Sequence, residues 1–282
     1  MSELISTFGH NYQAFLVAVL GCTLVELLVR GEDQTWWSRA RAAAFWAVYF
    51  IVATLVLVST ARFARYLGLE PALALDFRDA TASQDWAVAV AGYVFLPFAT
   101  NILFDFFYYW FHRLQHAVPF LWRFHAVHHS IEELNAANCY HHVTESIFRV
   151  PFVILPTMLL IDLQVPHVLI LSSVLGAWGF FVHANTPISL GPLGYVLASP
   201  RFHRVHHSLA EHHMDKNFAS FYPFYDVIFG TAYFPGREEV IRTGLKDVRE
   251  PTTVSGYLVA PFGRPVAQAG DTPPIPAATV QE

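Results

Sequence analysis

Fourteen of the 15 histidines in this 282-residue sequence lie between His112 and His213, and most of them fall into spaced groups. His112-Arg-Leu-Gln-His116 is an HxxxH box. His125-Ala-Val-His128-His129 and His203-Arg-Val-His206-His207 are two HxxHH boxes. On a helix, residues three or four apart share a face, so each box can aim two imidazoles at one point, and each doubled histidine adds a third. Neutral imidazole ligates iron, zinc or copper. Burying that many imidazoles without a ligated ion would leave many unsatisfied polar groups. The eight boxed histidines exceed the roughly four ligands of tetrahedral zinc. Two metal ions with four or five histidines each fit better.

Two more histidines are candidate ligands: His142, in His142-Val-Thr-Glu145, and His183, in His183-Ala-Asn185. Glu145 is a candidate for orienting an imidazole by hydrogen bonding from outside the ligand set, as is Asn185. The roles of His141, His212 and His213 stay open. His10 and His167 stand alone and read as structural or solvated residues.

Something must position these boxes, and composition says what. Apolar residues make up 54% of the chain and charged residues 14%, with 25 Phe, against roughly 25% charged in an average soluble domain. A bilayer tolerates such a surface. Apolar runs cover Tyr12 to Val29, interrupted only by Glu26, then Ala42 to Thr60, then Trp86 to Phe104. The last leads through Asp105 into aromatic-rich Phe106 to Phe111, which suits a membrane interface. A fourth apolar region, Phe148 to Val182, is interrupted by Pro151, Pro156, Asp162 and Pro166. Interior prolines remove hydrogen bonds and kink helices, so this region reads as a broken hairpin.

The expected fold is all-α: an integral membrane bundle of about four spans with a histidine-rich helical cap. One embedded domain would cover residues 1–260, with its histidine core at 105–231, and residues 261–282 read as a disordered tail. Arg30, Arg39 and Arg41 follow the first span, and Arg113 and Arg123 flank the first boxes. The positive-inside rule therefore places the histidines on the cytoplasmic side. Arg62, Arg65 and Arg78 fall on the expected outer side and pull the other way. The net charge of −5 gives no footprint for a nucleic-acid partner. The two cysteines, Cys22 and Cys139, form no CxxC motif and give no disulfide framework.

From Asp105 to Thr231 the chain resembles the fatty acid hydroxylase superfamily, which includes sterol desaturases and lipid hydroxylases. The resemblance rests on Phe111-His-Arg-Leu-Gln-His116, Trp122-Arg-Phe-His-Ala-Val-His-His-Ser130, Asn135 followed by His142-Val-Thr-Glu145, His183-Ala-Asn185, Ser199-Pro-Arg-Phe-His-Arg-Val-His-His-Ser208 and Asp226-Val-Ile-Phe-Gly-Thr231. It implies an all-helical membrane protein with a cytoplasmic two-metal centre. It also implies use of O2 and of electrons from a partner carrier. Three positions depart from the family pattern: Tyr140 stands in place of Arg, Val143 in place of Pro, and Tyr225 in place of Trp.

Oxidising an unactivated C–H bond needs a redox cofactor, because side chains supply no strong oxidant. Two iron ions would serve, and zinc could occupy the same imidazoles in isolated protein. No GxGxxG fingerprint and no ferredoxin-like cysteine pattern is present, so the expected electron source is a separate carrier protein with its own reductase. The expected substrate is a lipid entering from the bilayer, and the reaction is hydroxylation or desaturation. The rival readings are a zinc hydrolase, for which the HExxH motif is absent, and a metal-binding or metal-transport protein. Transporters place ligands inside their spans, whereas these boxes lie outside the apolar runs.

Overall fold

The computed structural model describes residues 2–76, 86–90, 95–164, 176–246 and 248–263. The lone His167, Arg78, parts of the third and fourth apolar regions, and tail residues 264–282 lie outside them.

The first two apolar runs form long helices, α1 (Ser2–Leu28) and α2 (Trp36–Tyr66). Both are long and apolar enough to cross a membrane, with mean hydropathies of 1.5 and 2.2 over their most apolar 18-residue stretches, within Phe8–Leu28 and Trp36–Tyr66. Most of their apolar surface faces outward: Leu20 is 69% exposed and Phe63 62%. Exposed apolar faces of this extent are what a bilayer covers. The inner faces meet through aromatic packing, in which Phe15 lies 5.5 Å from Trp46 and 5.3 Å from Phe180, ring centre to ring centre.

A short β1 (Leu73–Asp76) precedes α3 (Trp86–Val90) and α4 (Leu96–Ala117). Then come α5 (Pro119–His129) and α6 (Glu145–Arg149), a π-helical turn (Val150–Ile154) and α7 (Leu155–Leu160). After β2 (Ile161–Gln164), the chain resumes in helical residues 176–181, α8. The cap is completed by α9 (Pro200–His206), α10 (Phe224–Ile228) and α11 (Val254–Val259), with short 3₁₀ turns between.

The structure is mostly helical, as expected, but not wholly so. β1 and β2 pair in parallel, from Leu73 against Ile161 to Asp76 against Gln164. Among the described residues, Pro151 and Pro156 do not open the fourth region into loops. Pro151 sits in the π turn and Pro156 in the first turn of α7, and a wider turn accommodates the missing N–H. Asp105 lies inside α4, which carries the last part of the third apolar run, Leu96 to Phe104, into the HxxxH box as one helix. Its buried carboxylate accepts the N–H groups of Ser220, Phe221 and Tyr222 at 3.3, 3.2 and 2.9 Å. Order also extends past residue 260, through a 3₁₀ turn at Ala260–Phe262 in which the Pro261 carbonyl accepts from Arg123 Nε at 3.1 Å.

The cap is latched to the spans through the α1–α2 loop. Glu26, the one acid of the first apolar run, accepts from the N–H of Ala136 (2.9 Å) and of Asn185 (2.7 Å), and pairs with Arg39 at 2.7 Å. Thr35, which caps α2, donates to Glu133 through N–H and hydroxyl. Gln34 reaches the Leu134 carbonyl at 2.8 Å. Gly31 packs on Asn185 so closely that a Cβ there would stand 2.7 Å from the Asn185 carbonyl oxygen.

Candidate metal centre

Three helices bring the boxes together. α4 supplies His112 and His116 from its last turns. Pro119, at the first helical position, lets α5 start directly after extended Val118, so α5 turns back with His125, His128 and His129 facing α4. α9 begins on the Ser199 cap, whose hydroxyl accepts the Phe202 N–H at 3.2 Å. It carries His203 and His206, with His207 as its C-cap. His183 arrives from the turn after α8.

The ligand atoms gather in two groups, each within 4.8 Å: His112, His116, His125, His129 and His206 in one, His128, His183, His203 and His207 in the other. The groups adjoin, with the His129 and His207 rings stacked at 4.6 Å. All eight boxed histidines and His183 are therefore brought together.

Hydrogen bonding outside the groups fixes the tautomers, as assigned from the network. A backbone carbonyl only accepts, so the Nδ1–H groups of four rings donate: His112 to Phe218 O (2.7 Å), His128 to Tyr140 O (3.1 Å), His183 to Gly179 O (2.7 Å) and His206 to Lys216 O (2.8 Å). His125 Nδ1 donates to Glu145 at 3.4 Å and His116 Nδ1 faces Asp215 at 3.3 Å. Each of these six rings then turns an unprotonated Nε2 inward.

Burial and then the neighbouring imidazoles hold His112, His128, His129 and His207 well below the usual histidine range, and burial pulls His183 down to about 3. The rings are neutral, and bare lone pairs face one another. His112 and His125 Nε2 lie 2.9 Å apart, and His128 and His183 Nε2 3.3 Å apart, with no proton available to either pair. His206 Nε2 and both His207 nitrogens are buried without any partner. A cation resolves this arrangement. Metal–nitrogen bonds of about 2.0–2.1 Å put neighbouring ligand nitrogens roughly 2.9–3.4 Å apart.

The remaining candidates fall elsewhere. His142 joins neither group: Nδ1 meets the Thr144 hydroxyl at 2.8 Å and Nε2 the Leu258 carbonyl at 3.3 Å, so the ring points towards α11. Its neighbour His141 faces the centre, stacked on His128 at 3.8 Å. Glu145 accepts from His141 Nδ1 (3.1 Å) and Gln115 Nε2 (2.8 Å) besides His125. Burial alone would raise its carboxyl, but His141 and His125 outweigh that and hold it well below the usual carboxylate range. Asn185 bonds no histidine and instead ties down Glu32 through N–H and carbonyl. His212 and His213 share Glu239 at the surface, away from both groups. Lone His10 lies on α1 at the wall of the cavity described below.

The carbonyls that orient His112 and His206 belong to loop 215–222, whose supports entered the sequence reading only as part of the family resemblance, with no role given to Asp226 or Asn217. Asp226 accepts the N–H of Phe218 and Ala219 at 2.8 and 2.9 Å and the Thr231 hydroxyl at 2.6 Å. Asn217, at φ +58°, clamps Phe202 and Tyr233. The Asp-x-x-x-Gly-Thr run after the last box was the available signal.

A cavity of about 920 Å³ opens onto the centre, where His112, His128, His183 and His203 form part of its wall. The rest is largely apolar and aromatic, from α1, α2, α4 and α8.

Residues 98–231 match the fatty acid hydroxylase family, and this stretch contains every histidine of both groups. The histidine core of the chain is thus similar to the fatty acid hydroxylase family. It is 36% identical to alkylglycerol monooxygenase of Homo sapiens over 141 residues, which is 50% of this chain and 31% of that protein. The alkylglycerol monooxygenase of Danio rerio is 36% identical over 137 residues, 49% of this chain and 30% of that protein. The ornithine lipid hydroxylase of Rhizobium tropici is 30% identical over 164 residues, 58% of this chain and 49% of that protein. The matches thus span a third to a half of these relatives. No solved structure matches the chain.

Proposed function

We propose that the chain holds two iron ions, one in each histidine group, and uses O2 and externally supplied electrons to hydroxylate or desaturate a C–H bond of a lipid. The observation that carries this reading is the set of inward, unprotonated imidazole lone pairs beside an apolar cavity. A five-nitrogen group exceeds tetrahedral zinc, and imidazole suits iron. The iron pair would supply the oxidant for the C–H bond.

The chain's own residues bind and orient. The carbonyls of Phe218, Lys216, Tyr140 and Gly179 hold their imidazoles in the ligating tautomer. Glu145 restrains His125 and His141 at Nδ1. Phe15, Trp46, Phe50 and Phe180 wall the cavity against water and fit an alkyl chain.

The latch supports a cytoplasmic side for the centre. The loop bearing Arg30, and the start of α2 bearing Arg39 and Arg41, lie at the histidine end of the spans. Positive-inside bias of these arginines supports a cytoplasmic centre, within reach of a soluble electron carrier, although Arg62 and Arg65 at the far end of α2 pull the other way. Metal transport is disfavoured because the ligands sit on α4, α5, α9 and the turn after α8, not on α1 and α2.

The test compares lipid extracts, by mass spectrometry, from cells expressing the intact chain and its His206→Ala variant. The expected result is a lipid that gains one oxygen or loses two hydrogens only with the intact chain, at the expense of O2. Identical extracts, with metal bound in the intact protein, would reject lipid oxidation.

A further inference from the structure

Among the described residues, the wall of the large cavity contains no carboxylate and one arginine, Arg149. Arg149 closes α6 with its guanidinium over the Tyr108 ring at 5.0 Å, and Nη2 reaches the Tyr108 hydroxyl at a long 3.4 Å. Its Nε is buried without an acceptor. The carboxylate one turn back, Glu145, is committed to Gln115, His125 and His141. Among the described residues, no carboxylate forms an ion pair with Arg149. Three other arginines drawn against the interior each have one: Arg39 pairs with Glu26, Arg41 with Glu250 and Arg204 with Glu32.

A guanidinium cannot shed its proton to escape burial, and a buried cation without a counter-charge is costly. Divalent metal ions in the two histidine groups would add further positive charge to the same space. The ionised Glu145 one turn away offsets part of the Arg149 charge, but its oxygens are taken by Gln115, His125 and His141, so an acceptor for the Arg149 fork has to arrive with the ligand. The planar fork of Arg149, with Nε free, suits a two-oxygen acceptor.

We infer that Arg149 holds the anionic head, carboxylate or phosphate, of the lipid that occupies this cavity. The alkyl chain then runs along Phe15, Phe50 and Phe180, and the head is anchored one helical turn from Glu145, which itself holds His125 and His141. The carbon presented for oxidation therefore lies near the head and not at the far end of the chain. This inference rests on the lipid-oxidising reading of the cavity and narrows its substrate to anionic amphiphiles.

The test is equilibrium binding of hexadecanoate, hexadecyl phosphate and uncharged hexadecanol to the purified metal-loaded chain in a neutral detergent. A charge-assisted pair is worth roughly 10–100-fold in affinity. The intact chain should prefer at least one anion to hexadecanol by about that factor, and the better of the two identifies the head. Arg149→Gln should bind hexadecanol as before and lose the preference. If that variant loses metal or hexadecanol binding, Arg149→Lys replaces it, keeping the charge without the fork, and its preference should fall several-fold. No preference in the intact chain, or an undiminished preference in the variant that keeps its fold, overturns the inference. Failure of the intact chain to bind any of the three amphiphiles would instead overturn the lipid reading of the cavity itself.

Discussion

Replacing Asp226 with Ala should empty one histidine group and spare the other. Asp226 is fully buried and accepts two backbone N–H groups, those of Phe218 and Ala219, together with the Thr231 hydroxyl. Ala leaves both N–H groups buried without acceptors, at about 1–3 kcal/mol each, so roughly 2–6 kcal/mol of support for loop 215–222 is lost. That loop provides the Phe218 and Lys216 carbonyls for His112 and His206, both in the five-histidine group. Losing such an orienting partner costs roughly 10–100-fold in metal affinity, and here two are disturbed together. The four-histidine group takes its carbonyls from Tyr140 and Gly179, which do not belong to the loop. Titration with a chelator, followed by elemental analysis, should show one metal per chain leaving at far lower chelator concentration than the other. Asp226→Asn, which keeps one acceptor oxygen, should show a smaller separation. Parallel loss of both metals, or no change in either, would refute the argument that these loop carbonyls set the affinity of one group alone.

Three other outcomes follow. His142→Ala should keep full metal content while lowering thermal stability, because both ring nitrogens bond outside the centre; loss of a metal would return His142 to the ligand set. Gly31→Ala should destabilise by about 1–3 kcal/mol through its clash with Asn185, measured as a lower midpoint of thermal unfolding. The metal-free protein should lose stability as pH falls below 6.5, the ordinary histidine value. The folded-state values of His112, His128, His207 and Glu145 are all depressed, so the stability they contribute is complete above the unfolded values and is lost on acidification. An unfolding midpoint that rises between pH 6.5 and 5 would contradict this sign.

The boxes were legible because helical spacing is local. Residues three and four apart share a face whatever the rest of the chain does, so His112 with His116, His125 with His129 and His203 with His207 could be grouped from sequence. The third histidine of each HxxHH box, His128 or His206, falls in the other group instead of joining its box mates. His142 shows where that reasoning ends. Whether His141 or His142 faces the centre depends on the path of 131–144, and that path is set by α11. The Tyr257 hydroxyl grips the His141 carbonyl and the Leu258 carbonyl takes His142 Nε2. No spacing rule reports a partner 116 residues away. Asp105 and Glu26 looked like interruptions of apolar runs, yet each is an acceptor for distant backbone N–H groups that fastens the cap to a helix. The pairing of β1 with β2 and the cavity are likewise products of long-range packing. Composition did foresee the exposed apolar faces of α1 and α2, since so few charges could not have covered them.

The measurement that bears most directly on the central claim is the metal content of the intact chain, purified anaerobically from iron-replete cells, with Mössbauer spectroscopy on the same sample. The account expects close to two iron ions per chain in nitrogen-rich sites, with His206→Ala and His207→Ala each losing metal from a different group. One metal per chain, or undiminished metal in both variants, would contradict it.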